Sequence, residues 1–262
     1  MPYIQRCDDF GQNSMAYVFT VSPDFGPEHL CGWFIFNTWL QRVLGKSIHL
    51  EIYPSFLSQR KAIQDDQVDL IYANPFDASM LVRNKGFIPL VTPEGKSDEA
   101  VVVVNAGASI YSIEDLKPGI RIASTDDPDV HMMGMLMLEP AELDESNVFC
   151  DKCDTYILVA KRLLQNQSDV GIFLAEAFDD LSQIVKKQLK ILVYGQIQVV
   201  RHALMIGPRM AHHAQQVADI LVRMHSNDKG TSVLKGLGLE RWKRMDREEM
   251  EFMIDLIDTL LV

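Results

Sequence analysis

The sequence predicts an α/β protein of two similar lobes that close as a clamp, each lobe a mixed or parallel sheet flanked by helices. Two stretches about a hundred residues apart, 59–77 and 159–179, carry this prediction. Each contains an amphipathic helix end, a polar turn, a short apolar run and a new helix, and each ends in Phe-Asp. The apolar runs, 70–73 and 170–174, are too short for helices, so buried strands are favoured.

The remaining elements follow from the same patterns, and residues 1–14 are predicted to be a tail. The predicted strands are 16–21, 48–53, 70–73, 101–104, 120–123, 170–174 and 191–194. The predicted helices are 29–44, one that begins at Ser55, 75–84, 130–138, one before the turn at 165–169, 208–225, 231–234 and 247–261. Residues 92–96 are predicted to be a loop and 105–107 a hinge, and four valines at 101–104 predict a strand buried on both faces.

The order of these elements implies that the chain crosses between the lobes twice, near Val104 and near Val199. The first lobe is therefore predicted to comprise residues 15–103 and 200–262, and the second lobe residues 104–199. Ligands of open α/β sheets bind beyond the carboxyl ends of the strands, so both sets of strand ends are expected to face one cleft.

Composition excludes several functions. The formal net charge is −11, which argues against a nucleic-acid surface and against an anionic membrane surface. The amino terminus has no apolar segment and carries Asp8 and Asp9, so a cytoplasmic location is expected unless a leader was removed. No apolar run approaches the roughly 20 residues of a membrane span. The common nucleotide-binding, metalloprotease and triad motifs do not occur, which argues against the common enzyme classes. No cofactor is expected.

The candidate ligand-binding residues follow the predicted strands, where side chains enter a cleft. They are Tyr53, Ser55, Asn74, Phe76, Ser124, Thr125, Asp126, Asp127 and Glu176, with His131 one turn into the next helix. A structural interpretation competes for Asn74, Ser124 and Asp127, since each can cap a helix for about 1 kcal/mol. Arg201, near the second crossing, is a further candidate as a partner for an anion.

Two other clusters have more than one interpretation. His131 lies among Met132, Met133, Met135 and Met137, which suits a buried helix with methionine as filler and also a Cu(I) site. Cys150 and Cys153 form a single C-x-x-C pair, which is compatible with incidental thiols, a redox or disulfide pair, or half a metal site. No metal is assigned to either cluster.

Several stretches of the sequence resemble one family. They are VSPDFGPEHL (21–30), EIYPSF (51–56), QVDLIYANPFDA (67–78), SIYSIEDLKPGIRIAS (109–124) and GTSVLKGLGLERW (230–242). Their order and spacing resemble the substrate-binding proteins of phosphate, phosphite and phosphonate importers, which have the type II periplasmic-binding-protein fold. The resemblance implies capture of a ligand between two closing lobes, without chemistry.

One loop departs from the family's pattern. Family members offer hydroxyl residues and a glycine at this helix start, where backbone N–H groups hold an oxyanion. Ser124 and Thr125 match, but Asp126, Asp127 and Asp129 follow them. A carboxylate repels an anion by roughly 1 kcal/mol per close pair even in water. The ligand is therefore expected to be neutral, cationic or bridged by a metal.

These observations favour a cytoplasmic solute-binding protein that acts as a sensor or carrier, with an unknown signalling or transport partner. The alternatives are a lyase of the menaquinone-pathway type on the same fold, or an interaction module with a vestigial cleft. In a lyase, Asp126, Asp127, Glu176 or His131 would act as acid and base. The predicted terminal helix carries Phe252, Leu256 and Leu260, which would suit a homodimer contact.

Overall fold

The computed structural model describes residues 16–260, without the side chain of the last one. The predicted tail at 1–14 and the end of the predicted terminal helix lie outside the described residues. The described α-helices are α1 (Leu30–Leu44), α2 (Phe56–Gln64), α3 (Pro75–Ser79), α4 (Pro128–Leu136), α5 (Tyr156–Leu164), α6 (Ala175–Asp179), α7 (Gln183–Lys186), α8 (Ala214–Val222), α9 (Asp228–Gly236) and α10 (Arg247–Leu260).

The described strands form two mixed sheets, which confirms the predicted α/β class. They are β1 (Tyr17–Val21), β2 (Ile48–Glu51), β3 (Leu70–Ala73), β4 (Ile88–Pro93), β5 (Ala100–Asn105), β6 (Arg121–Ser124), β7 (Phe149–Lys152), β8 (Val170–Leu174), β9 (Leu189–Tyr194), β10 (Ala203–Ile206) and β11 (Trp242–Arg244). The first sheet has the order β11-β4-β10-β3-β1-β2, and the second has the order β7-β6-β8-β5-β9. In each sheet a parallel core (β3-β1-β2 and β7-β6-β8) is extended by antiparallel strands.

The four valines at 101–104 are fully buried, as predicted, but they belong to the second sheet. Strand β5 pairs with β8 and β9, so the predicted lobe boundary at 103–104 falls inside a strand of the second lobe. The crossing segments are therefore 94–99 and 195–202, between β4 and β5 and between β9 and β10. A run of valines has no polar face, so its sequence does not distinguish one sheet from the other.

Several predicted elements differ from the structure. Strand β4 includes the first two residues of the predicted loop at 92–96; its two prolines cannot donate to a ladder and obscure the strand pattern. Strands β4, β7, β10 and β11 were not predicted. The predicted helix 208–225 begins as a 3-10 helix, Pro208–His213, before α8, and the predicted helix 231–234 extends over the whole of α9.

The terminal helix α10 connects the two lobes. It packs on α3, which follows a strand of the first sheet, and on α4, which follows a strand of the second. Met250, Met253, Ile254 and Ile257 lie in one apolar cluster with residues of both lobes. Phe252 is 62% exposed on the other face of the helix, and the predicted dimer contact there stays a prediction.

Candidate functional site

The two halves of the cleft are built from a repeated α-turn-β-α unit, whose equivalent residues are separated by 100 positions. Ser55 caps α2 by accepting the Ser58 N–H, and Thr155 caps α5 by accepting the Leu158 N–H, each at 3.3 Å. After each helix, a residue that tolerates the left-handed region makes the turn, Asp66 with φ 55° and Asn166 with φ 54°.

An aspartate then fixes the start of the central strand in each unit. A carboxylate oxygen of Asp69 accepts the N–H of Val18 on β1 at 2.8 Å. A carboxylate oxygen of Asp169 accepts the N–H of Arg121 on β6, also at 2.8 Å. Each carboxylate thereby helps to set the register between its strand and the parallel neighbour. The carboxyl-terminal ends of these strands therefore have equivalent positions in the two sheets.

The loops that follow β1 and β6 meet in the cleft. Phe19 on β1 lies opposite the first residue of β3, and Ile122 on β6 lies opposite the first residue of β8. Asp24 comes five residues after Phe19, and Asp127 comes five residues after Ile122. Carboxylate oxygens of Asp24, Asp127 and Asp129 all lie within 4.8 Å of one another. The strand ends of the two lobes therefore face one cleft, as the sequence predicts.

A cavity of about 420 Å³ opens between the lobes beside these carboxylates. Both lobes and both crossing segments line it. Its aromatic walls are Phe25, Trp33, Tyr72 and Tyr194, and its charged or titratable lining residues are Asp24, His29, Lys96, Asp98, Glu99, Glu176, Asp179, Asp180, Arg201 and His202. Carboxylates therefore outnumber the fixed cations of Lys96 and Arg201.

His202 lies where the second crossing segment enters the first lobe, and it connects three parts of the cleft. Its Nε2 lies 3.0 Å from Asp24 Oδ2 and its Nδ1 lies 2.9 Å from Asp98 Oδ2. The imidazole stacks on Tyr72 with ring centroids 5.0 Å apart. Burial lowers the pKa of His202, but the charges of Asp24 and Asp98 outweigh it and hold this pKa well above its ordinary value. The ring is therefore charged at neutral pH and compensates two carboxylates.

Asp127 and Asp129 lie deeper, at the start of α4. Asp127 caps the helix by accepting the Val130 N–H at 3.3 Å, and it accepts the Tyr156 hydroxyl at 3.1 Å. Burial, and then the charge of Asp24, raise the pKa of Asp127 to about 7. Burial and the neighbouring Asp127 raise the pKa of Asp129 well above its usual range. Asp127 and Asp129 thus lie in a region of excess negative charge, which His202 beside Asp24 offsets only in part.

Comparison with known proteins gives the family. A family model described as "ABC transporter, phosphonate, periplasmic substrate-binding protein" matches residues 19–250. The chain belongs to this family. A search of curated proteins finds no match. No helix within residues 16–260 combines the length and the apolar character needed to cross a membrane.

Solved structures of this phosphonate-binding family and of related proteins share the fold. PhnD1 from Prochlorococcus marinus MIT 9301, in complex with methylphosphonate, is similar with a TM-score of 0.79 and 12% identity over 94% of this chain and 98% of that one. XAC2383 from Xanthomonas citri, bound to ATP, has a TM-score of 0.76 and 17% identity over 95% and 98%. The aliphatic sulphonate binding protein SsuA from Escherichia coli has a TM-score of 0.64 and 14% identity over 94% and 91%. These likenesses establish the type II periplasmic-binding-protein fold.

Of the residues predicted from the sequence, the structure places three at the positions described above, and one of them is Arg201 in the cavity lining. Asp127 belongs to the carboxylate cluster, and Glu176 lines the cavity with its Oε1 2.7 Å from Lys96 Nζ. Asn74 is 1% exposed; it caps α3 through the Asp77 N–H and donates to Ser22 Oγ.

The other predicted residues have structural contacts or are exposed, and ligand binding by them stays a prediction. Ser55 caps α2, Tyr53 is half-buried against the core, and Phe76 lies under the Arg60 guanidinium. Ser124 and Thr125 are buried and contact Lys152 Nζ, through the Ser124 hydroxyl and the Thr125 carbonyl, while Asp126 is exposed.

His131 lies outside the cavity lining. Its Nε2 is 3.1 Å from Oε1 of Glu145, whose side chain is exposed, and its Nδ1 faces Ser124 Oγ. Met132 and Met133 are buried in the core, which favours the packing interpretation of this helix. Cys150 and Cys153 are free thiols, the first exposed and the second buried.

The sequence reasoning missed several residues that the structure places at the cleft. Asp24 lies three residues after the predicted strand 16–21 and was not among the candidate ligand-binding residues. Its position equivalent to that of Asp127 was a signal, because the two residues follow the equivalent strands β1 and β6 of the two lobes. His202 pairs with Asp24 across 178 positions of sequence, and no local pattern reveals such a contact.

Proposed function

We propose that this protein captures a small polar solute between its lobes and that the solute is neutral or carries a positively charged nitrogen group. The observation that supports this proposal is the interlobe cavity, in which carboxylates outnumber fixed cations. A cavity of this size accommodates a small molecule, and mixed aromatic and polar walls are typical of ligand sites.

The charge pattern favours a cation over an oxyanion. Lys96 is already paired with Glu176 at 2.7 Å, and the Arg201 guanidinium donates to the carbonyls of Val199 and Gln198. A phosphonate dianion would gain little from these occupied donors and would face the remaining carboxylates. The face of an aromatic ring, such as that of Trp33, attracts a cation within about 6 Å.

Titration calorimetry against methylphosphonate, phosphate, ethanolamine, choline, arginine and a neutral sugar, glucose, tests the proposal. We expect saturable binding of at least one nitrogen cation and none of methylphosphonate. Glu176→Gln should weaken cation binding about fivefold or more, because it removes one charge from the cavity wall. The matched control is Glu139→Gln on the surface of the same lobe, which should bind as the wild type does. Tight binding of methylphosphonate would contradict the proposed ligand class, and binding of no compound would contradict solute capture.

No observation favours the lyase alternative. It requires His131 within hydrogen-bond reach of a cleft carboxylate, and the carboxylate that His131 contacts is Glu145 on the surface. The expected role as a cytoplasmic sensor or carrier stays a prediction. Localisation of the tagged protein in its own host tests the cytoplasmic part of this prediction.

A further inference from the structure

We propose that Asp24, Asp127 and Asp129 form a binding site for a hard divalent cation, such as Mg²⁺, Ca²⁺ or Mn²⁺, that joins the two lobes. Each residue offers one carboxylate oxygen, and the three oxygens lie within 4.8 Å of one another. Asp24 comes from the first lobe and the other two from the second. Carboxylate oxygens are the ligands that these cations prefer.

The side chain of Asp129 supplies independent support for a ligand. The residue is 1% exposed, and among the described residues neither of its carboxylate oxygens has a hydrogen-bond partner. Buried polar groups are nearly always satisfied, because an unpaired buried carboxylate is costly. The other two carboxylates of the cluster each have partners: Asp127 accepts the Tyr156 hydroxyl, and Asp24 is paired with His202. A cation between the three would satisfy Asp129.

The formal charge of the side chains in and beside the cluster also favours a divalent cation over a monovalent one. The carboxylates of Asp24, Asp98, Asp127 and Asp129 are accompanied by one imidazolium, that of His202, which leaves a formal charge of −3 when all are ionised. A divalent ion would reduce this to −1.

The position of the cluster favours an ion over an organic ammonium group. Asp24 lines the solute cavity, but Asp127 and Asp129 do not, so the cluster lies behind the cavity wall. An organic cation would have to pass its carbon chain through that wall. The ammonium of Lys152 does not fill the site, because it donates to Ser124 Oγ at 3.3 Å and to the Thr125 carbonyl at 3.2 Å.

The test uses the full chain after treatment with a chelator. Mn²⁺ binding is measured by electron paramagnetic resonance, and Mg²⁺ and Ca²⁺ are measured by competition and thermal shift at about pH 7.5. We expect one Mn²⁺ per chain and a rise in Tm on saturation. Asp129→Asn should weaken binding at least ~10-fold, since it removes the ligand that has no other partner. The matched control is Asp154→Asn, an exposed aspartate of the same lobe, which should bind within about twofold of the wild type.

The outcomes separate the possible occupants. Absence of Mn²⁺ binding to the wild type, or equal binding by Asp129→Asn, would overturn the proposal. If Asp129→Asn does not fold, Asp24→Asn from the opposite lobe decides in the same way. Methylammonium that binds where metals do not would also overturn it and would assign the cluster to the solute. The proposed solute capture is measured separately, with metal-free protein, so it can stand when the cation site fails.

Discussion

Replacement of His202 by alanine should destabilise the protein more than any comparable change of a surface histidine. The side chain is largely buried and contacts Asp24 and Asp98 at 3.0 and 2.9 Å, so its loss leaves two carboxylates without their cation. Removal of one partner from a buried ion pair typically costs about 3–5 kcal/mol. The stacking on Tyr72 is lost as well. We therefore expect the free energy of unfolding to fall by about 3–5 kcal/mol near pH 7.

The dependence on pH follows from the sign of the shift. The folded pKa of His202 lies above its unfolded value, so the stabilisation is fully present below about pH 6.5 and is lost as the pH rises through the folded pKa. The difference between wild type and His202→Ala should therefore shrink in alkaline solution.

Urea denaturation at several pH values measures both effects. His49→Ala is the control, because His49 is exposed and pairs with Glu51 on the surface at 2.9 Å, an interaction worth about 0–1 kcal/mol. A loss below 1 kcal/mol for His202→Ala, or a difference that grows with pH, would refute the role given to this imidazolium.

Three further changes test other parts of the structure. Gly134→Ala should lower the free energy of unfolding by about 1–3 kcal/mol, because the new Cβ would lie 2.4 Å from Ile172 Cγ2. An unchanged midpoint of urea denaturation would show that α4 does not pack this closely on β8. Asp169→Asn should remove part of the stability at neutral pH. The Arg121 hydrogen bond lowers the pKa of Asp169, so this contribution to stability is present above about pH 4 and is lost as the pH falls. If the variant loses stability in acid in the same way as the wild type, the prediction is wrong. Met253→Ala should cost about 2–5 kcal/mol by thermal or chemical unfolding, and a negligible loss would mean that α10 is not part of the shared core.

The repeated unit could be predicted from the sequence because its signals are local. Caps at Ser55 and Thr155, polar turns and short apolar runs specify a helix, a turn and a strand within about twenty residues. The assignment of strand β5 to a sheet was wrong because four valines are equally suitable for either sheet. That choice depends on pairing with β8 and β9, which are distant in sequence.

The site was predicted only in part, for the same reason. Asp127 follows a recognisable strand, so its position beyond the end of that strand, where the carboxylate cluster lies, was accessible from the sequence. Asp24 and His202 come together only through the fold, and Asp129 acquires its significance from burial without a partner. The sequence shows which residues are ionisable, but the fold determines which of these residues are buried together and which of them lack a partner of opposite charge.

The most direct measurement of the central claim uses Trp33, which lines the interlobe cavity, as a fluorescent reporter. The double substitution Trp39→Phe and Trp242→Phe leaves Trp33 as the single tryptophan of the chain. We predict a saturable change in its emission with a nitrogen cation at one site per chain, reduced in Glu176→Gln. No response to any solute in the calorimetry series, or a response to methylphosphonate alone, would contradict the proposal of a cationic or neutral ligand held between the lobes.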